Sequence, residues 1–246
     1  MWWACIFGIF SKSMNETYGV VLAGTRKIEG VRSLITNKIV FAPLTHTLEG
    51  IDALIFTSAY AIKSLIESAS QNLPNTLHFS PILAHWKEIP SFVISPASAK
   101  ILYEQGAKVE FVGKSAHGKT FAQEIIPLLQ GRRALYLRAK EIVSGLDSIL
   151  KNAGICIEEA IMYENIPQKL PLELKPKPKS VIIFSAPSAY DSFVANFGWE
   201  DLYIAIAIGQ STFARFDKHI TAYVSPSANF ESCIAFAKDI ARERNF

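Results

Sequence analysis

The chain has 246 residues, half of them hydrophobic and 19% charged, with 25 Lys+Arg against 22 Asp+Glu and a formal net charge of +3. That length holds one large domain or two small ones with a full core, and the composition excludes a disordered chain and a strongly nucleic-acid-directed surface. The mild positive balance is compatible with a local basic or amide-lined cleft for an acidic small molecule.

In chain order, Met1–Phe10 (MWWACIFGIF) is apolar but too short for a membrane span. It has no basic residues before it and no small-residue cleavage pattern after it, so it is not read as a signal peptide. Residues 1–17 are taken as an N-terminal extension, with Met14 opening a more ordinary start. Short apolar runs then predict strands at Gly19–Leu22, Ile39–Phe41, Ala53–Phe56, Phe92–Ile94, Val109–Val112, Ala134–Leu137, Ile155–Tyr163, Val181–Phe184, Tyr203–Ile208 and Thr221–Val224. Helical spacing of apolar residues predicts helices over Ala59–Ser70, Ala97–Gln105, Lys119–Gln130, Ile142–Asn152 and Phe230–Arg244. Runs such as LIF, VIIF and IAIAI are apolar on both faces, as strands covered by helices on each side must be, so the fold class is α/β with mainly parallel sheets.

The pattern repeats. IFTSAYAIKSL from Ile55 resembles IFSAPSAYDSF from Ile183, and FVISPASAKIL from Phe92 pairs with IAIGQSTFARF from Ile206. Two similar half-molecules are implied. The second half is one or two strands short, and the strands left over are Gly19–Leu22 and Ile39–Phe41. The N-terminal strand-helix unit is therefore assigned to the C-terminal half. This gives a discontinuous domain of residues 18–42 plus 166–246 and an inserted domain of residues 44–162, with crossings near Pro43–His46 and Tyr163–Pro167. A cleft between two such domains is where a ligand is expected.

Cys5, Cys156 and Cys233 are widely spaced in apolar context and are read as packing, in a reducing compartment. The five histidines show no metal-ligand spacing, so no metal is expected. Glu158-Glu159 is read as a solvated pair beside a strand, and Lys175-Pro-Lys-Pro-Lys179 as a stiff, solvated approach to the next strand. Gly113-Lys-Ser-Ala-His-Gly118-Lys119-Thr120 matches the phosphate-cradling pattern GxxxxGK[ST] between an apolar run and a helical pattern. Against it, no apolar strand ends in an Asp to hold magnesium, and the equivalent loop Ser225–Asn229 lacks both glycine and lysine.

Hydroxyl residues recur at the carboxyl ends of predicted strands: Thr57 and Ser58, Ser95 and Ser98, Ser185 and Ser188, Ser211 and Thr212. Each reads singly as a helix N-cap; four repeats of one device read as an anion-binding rim. The residues alone leave a P-loop nucleotide-binding protein and a non-catalytic two-domain small-anion sensor open beside an enzyme of acidic substrates.

Five segments stand in the order and spacing of one family: IFTSAYAIKSL, ISPASAKILYEQGAKVEFVG, ALYLRAKEIVSGLDSILKNAGICIEEAIMYENIP, VIIFSAPSAYDSF and AIAIGQSTFARF. From about Val20 to the C-terminus the chain resembles the uroporphyrinogen-III synthases. The resemblance implies two parallel-sheet α/β domains joined by a two-stranded linker with an active-site cleft between them. It implies a cofactor-free, cytoplasmic, monomeric lyase that closes hydroxymethylbilane into uroporphyrinogen III with inversion of the last pyrrole ring and loss of water, in transient contact with the upstream synthase. It also implies that Tyr163, in IMYENIP, assists loss of the substrate hydroxyl. Thr57, Ser58, Ser95, Ser98, Arg138, Ser185, Ser188, Gly209, Gln210, Ser211 and Thr212 would then hold the substrate's carboxylates. The family's GxxTA segments correspond to Ser95–Ala99 and Gly209–Phe213, with Ser95 in place of glycine, Ser98 of threonine and Phe213 of alanine. Its N-terminal threonine-arginine corresponds to Thr25-Arg26.

Overall fold

In the computed structural model, residues 19–70, 81–115, 117–142 and 144–244 are described; the N-terminal extension, Cys5 and His78 lie outside them. The chain runs β1 (Gly19–Gly24), β2 (Arg32–Ile35), β3 (Asn37–Phe41), β4 (Ala53–Phe56), α1 (Ala59–Ser70), a 3-10 turn (Pro81–Glu88), β5 (Ser91–Val93), α2 (Pro96–Glu104), β6 (Val109–Val112) and α3 (Gly118–Leu129). It continues through β7 (Arg133–Ala139), α4 (Leu146–Asn152), β8 (Cys156–Pro167), a 3-10 turn (Leu172–Leu174), β9 (Ser180–Phe184), α5 (Pro187–Phe197), β10 (Ile204–Ala207), α6 (Gln210–Phe213), β11 (Thr221–Val224) and α7 (Phe230–Glu243).

Two compact units result, one of residues 1–38 with 167–246 and one of residues 39–166. The first holds a sheet ordered β11-β10-β9-β1-β2, with each of its pairs parallel. Its strands are apolar on both faces because both are covered. Ile182, Phe184 and Ala205 pack with Tyr190 and Phe193 of α5, whereas Val181, Ile183, Ile204 and Ile206 pack with Cys233, Ala237 and Ile240 of α7. The second unit holds a sheet ordered β3-β8-β7-β4-β5-β6. Leu54, Phe56, Leu135 and Leu137 face α1 and α2, while Ala53, Ile55, Ala134 and Tyr136 face α3 and α4. In each unit three successive strands run outward from a central one, whose other side is taken by a strand from elsewhere in the chain, β7 beside β4 and β1 beside β9. The carboxyl ends of these pairs flank the reversal of strand order, where open α/β sheets bind ligands.

Three sequence expectations are corrected here. The unit formed by β1 has no helix: the chain turns through residues 25–31 into β2, a strand that the period-2 pattern of RSLI is too short to announce. Ile39–Phe41 belongs to β3 on the edge beside β8 in the second unit's sheet, so the first crossing lies near Lys38 rather than Pro43–His46. The two neighbours are antiparallel, Gln168 N donating to Thr36 O at 2.8 Å and Ala42 N to Met162 O at 2.8 Å. The helix expected over Ile142–Asn152 starts only at Leu146, because Gly145 takes the left-handed region (φ 62°) at its N-cap.

Candidate functional site

The carboxyl ends of β4, β7 and β8 bring the second unit's hydroxyl groups together. Thr57 and Ser58 follow β4 directly, and Ser58 caps α1 by accepting a hydrogen bond from Tyr60 N at 3.1 Å. β7 pairs with β4 with Tyr136 opposite Ile55, which carries the Tyr136 phenol to the rim, 2.8 Å from Thr57 Oγ1. The ring is buried (2% exposed). Burial pushes its pKa above the ordinary tyrosine value against the opposing hydrogen bonds with Thr57 and Ser144, so the phenol stays protonated.

Tyr163 reaches this rim because β8 is irregular. The register with β7 shifts between Arg138 and Ala139: Arg138 stands opposite Ile161 and Ala139 opposite Tyr163, with Met162 as the extra residue. In a regular strand consecutive side chains point to opposite faces; across this bulge Met162 and Tyr163 both pack on the α1 and α2 side. There the Tyr163 ring lies 5.6 Å from that of Tyr60, and its phenol hydrogen-bonds with Ser58. Burial raises the Tyr163 pKa, the Ser58 hydrogen bond opposes the rise, and the neighbouring Tyr60 adds to it. The Ser58 oxygen also accepts from Tyr60 N; when its own proton is given to Tyr163, the phenolic O–H is free to donate outward.

The remaining candidates divide. Ser95 is the N-cap of α2, accepting from Ser98 N at 3.3 Å and donating to Ser98 Oγ at 3.2 Å. Ser98 and Thr212 are buried (3% and 1% exposed), and the Ser98 hydroxyl accepts from the Ser95 cap of its own helix. Arg138 is committed: its Nε donates to Glu159 at 2.6 Å and its guanidinium to the Ala139 and Lys140 carbonyls. In the first unit, Ser185 bonds the Ala23 carbonyl at 3.2 Å across the β9 and β1 pair, and a side chain on Gly24 would collide with its Oγ. Helices α5 and α6 begin after Ala186 and Gly209 without a side-chain cap, with Ser188 in the first turn of α5 and Gln210 and Ser211 exposed at the start of α6. Gly209 is extended (φ −164°), and a Cβ built on it meets nothing within 4 Å; neither conformation nor packing calls for glycine there. Arg26 stacks over the Phe230 ring at 4.7 Å.

Glu158 and Glu159 are not a solvated pair. Glu158 binds His46 at 3.1 Å and Arg133 at 2.6 Å, which hold its carboxyl below the ordinary value. Burial drives Glu159 upward, but hydrogen bonds from Lys151 and Arg138 outweigh it and leave this carboxyl lowered too. Cys156 is exposed at the start of β8 rather than packed, while Cys233 is buried. Lys175 pairs with Glu200 instead of standing in solvent alone. Among the described residues no group of three or more His, Cys, Asp and Glu is arranged to hold a metal ion.

The glycines of the Gly113–Thr120 loop have packing reasons. A Cβ on Gly113 would press on the Ile94 carbonyl and the Phe121 ring at 2.9 Å, and one on Gly118 would collide with Ser144 Cβ. Lys119 and Thr120 are exposed on α3. Sequence reasoning missed Tyr136, Ser144 and Tyr60. The one available signal was a tyrosine inside the apolar strand ALYLRA, whose buried O–H needs a partner.

A family model described as Uroporphyrinogen-III synthase HemD matches residues 23–235. No curated protein matches the chain. Among solved structures, the chain is similar to the uroporphyrinogen-III synthetase of Helicobacter pylori 26695, at 35% identity over 91% of this chain and 99% of that one, with a TM-score of 0.75. A mutant uroporphyrinogen III synthase of the extremely thermophilic bacterium Thermus thermophilus is 15% identical over 92% of this chain and 99% of that one, with a TM-score of 0.66. The wild-type protein of the same bacterium, in another crystal form, is 16% identical over the same shares with a TM-score of 0.52. At that identity the Thermus structures speak for the fold alone.

Proposed function

The chain belongs to the uroporphyrinogen-III synthase family, enzymes of tetrapyrrole biosynthesis, and from that premise we propose that Tyr163 is the hydrogen-bond donor to the departing hydroxyl of hydroxymethylbilane. The overall reaction closes the linear tetrapyrrole into uroporphyrinogen III with inversion of the last ring and release of water. The nucleotide-binding alternative has no support in this membership, and the packing of Gly113 and Gly118 accounts for the loop that prompted it.

Loss of the terminal hydroxyl from an electron-rich pyrrole leaves an azafulvene. The substituted carbon of the last ring attacks it to give a spiro intermediate, which fragments and recloses inverted. The pyrrole nitrogen supplies the electrons, so the protein has two tasks: to hydrogen-bond the leaving oxygen, and to hold the chain so that the unsubstituted carbon does not attack first. Tyr163 suits the first task. Its raised pKa keeps the proton on the phenol, and Ser58 is placed to donate to the phenol oxygen rather than draw on its O–H. The observation that carries the assignment is the bulge at Met162, which turns Tyr163 onto the Ser58 and Tyr60 side of the sheet.

Binding of the substrate's carboxylates falls to Thr57 in the second unit and to Ser188, Gln210, Ser211 and the Gly209 backbone in the first, the Ser58 hydrogen being given to Tyr163 and the Ser185 hydrogen to the Ala23 carbonyl. Ser95, already a cap, is a weaker contributor, and Ser98, Thr212 and Arg138 act by supporting their own elements. The same reading has the chain act as a monomer in the cytoplasm, receiving substrate by transient contact with the upstream synthase, since free hydroxymethylbilane closes spontaneously without inversion. Among the described residues no helix is long and apolar enough to cross a membrane. The test is to supply enzymatically generated hydroxymethylbilane and separate the isomers: type III in excess of type I is expected, and type I alone would refute the reaction.

A further inference from the structure

Two neighbouring hydroxyls at the end of β4 are each backed by a tyrosine from another strand, Ser58 by Tyr163 and Thr57 by Tyr136. Tyr163 is taken up by the reaction; Tyr136 is not. Its ring lies in the apolar layer with Ile55, Phe121 and Leu146, where a phenylalanine would fill the same volume, so the hydroxyl requires its own explanation.

The hydrogen bonds around that hydroxyl form a chain from Leu146 to Thr57. Leu146 N, an amide that can only donate, gives its hydrogen to Ser144 Oγ at 3.4 Å. Ser144 hydrogen-bonds in turn with the Tyr136 phenol, which lies 2.8 Å from Thr57 Oγ1. A hydroxyl carries one hydrogen. Ser144 keeps a second lone pair, so the chain can run either way; when Ser144 donates to Tyr136, the phenol's single hydrogen goes to Thr57, and among the described residues no further acceptor takes the Thr57 hydrogen. Thr57 is half-buried at the rim, whereas Tyr136 is covered. Aligned hydrogen bonds polarise one another, so the last hydroxyl of such a chain is a stronger donor than an isolated threonine.

We propose that Tyr136 is a positioning residue: with Ser144 behind it, it orients Thr57 so that the Thr57 hydroxyl donates to a carboxylate of the substrate. This rests on the carboxylate-binding role given to Thr57 above and goes beyond it by assigning the donor direction and the buried group that sets it. The opposite direction, Thr57 donating inward to Tyr136, would present only lone pairs to a carboxylate and repel it. A side chain on Gly118 would collide with Ser144, so glycine at the start of α3 leaves Ser144 its place.

Steady-state turnover of hydroxymethylbilane by Tyr136→Phe, Thr57→Val and the double variant tests this. Each single change is expected to raise KM about three- to thirty-fold with kcat within about three-fold, as for lost uniform binding. The double variant is expected to be no worse than Thr57→Val alone, because both changes remove one device. A folded Tyr136→Phe protein with wild-type KM, or losses that multiply in the double variant, would overturn the proposal. Should Tyr136→Phe not fold, Thr57→Ser against Thr57→Val decides: serine is expected to keep KM near wild type and valine to raise it, and equal KM values would overturn the proposal. The assignment of Tyr163 reads out in kcat and in the isomer formed, so either reading can fail while the other stands.

Discussion

The Tyr163 ring lies 5.6 Å from that of Tyr60 at an interplanar angle of 55°, a contact that exists because the strand carrying Tyr163 takes in an extra residue at Met162. Were Met162 itself paired opposite Ala139, Tyr163 would point to the sheet's other face, toward α3 and α4. The backbone bulge, rather than the Met162 side chain, therefore aims the phenol. Met162 is fully buried, so Met162→Ala is expected to destabilise by about 2–5 kcal/mol while the folded fraction still forms the type III isomer. Denaturant unfolding and isomer separation on the same sample check this; a folded Met162→Ala protein yielding only type I would show that the side chain, not the bulge, sets the position of Tyr163.

The loop that mimics a phosphate-binding motif separates packing from chemistry. Lys119 is exposed, and Lys119→Ala is expected to change stability by less than about 0.5 kcal/mol and leave turnover within a few-fold of wild type. Gly118→Ala places a carbon against Ser144 Cβ and is expected to destabilise by about 1–3 kcal/mol, read by denaturant unfolding. Magnesium-dependent nucleotide binding lost in Lys119→Ala would restore the phosphate-binding reading.

At the start of α6, neighbouring residues should respond differently. Gly209→Ala meets no atoms and needs no unusual backbone angle, so thermal stability is expected to hold while KM rises, the added methyl standing where substrate approaches the backbone. Ser211→Ala, exposed, is expected to follow the same pattern. Thr212→Ala, buried, is expected to lose stability by about 0.5–2 kcal/mol with KM little changed in the folded fraction. Unchanged turnover in both Gly209→Ala and Ser211→Ala would remove this rim from the binding surface.

The α/β class and the repeat were legible because strands buried on both faces leave continuous apolar runs, as in VIIF and IAIA, and their order copies from one half to the other. Ala53–Phe56, buried along its whole length, was bounded correctly for that reason. The hydroxyls at strand ends were visible, but not which are exposed: Ser95 and Ser98 look alike in sequence, and only the turn of α2 buries one beneath the other. Pairings between distant strands, such as Tyr136 with Thr57 or Arg138 with Glu159, depend on register, which periodicity does not encode. The bulge that aims Tyr163 has no sequence signature at all.

Glu159 gives a pH prediction. Its carboxyl is lower in the folded chain than the reference value of 4.5, burial being outweighed by Lys151 and Arg138. The resulting stabilisation is present above that reference value and is lost as pH falls through the lowered folded value. Glu159→Gln is expected to be less stable than wild type at pH 7 by about 1.5–3 kcal/mol, with the gap narrowing below pH 4.5. Urea unfolding of both proteins across that range checks it; a gap independent of pH would assign the difference to packing.

Assistance by the Tyr163 phenol to the departing hydroxyl is read out most plainly by single-turnover analysis of Tyr163→Phe with isomer separation. The ring and its packing against Tyr60 are retained, and only the donor is lost. The expected outcome is a folded protein whose turnover falls by about a hundred- to ten-thousand-fold, with the uninverted type I isomer dominating as substrate closes in solution. A folded Tyr163→Phe protein that forms the type III isomer at the wild-type rate would remove Tyr163 from the chemistry.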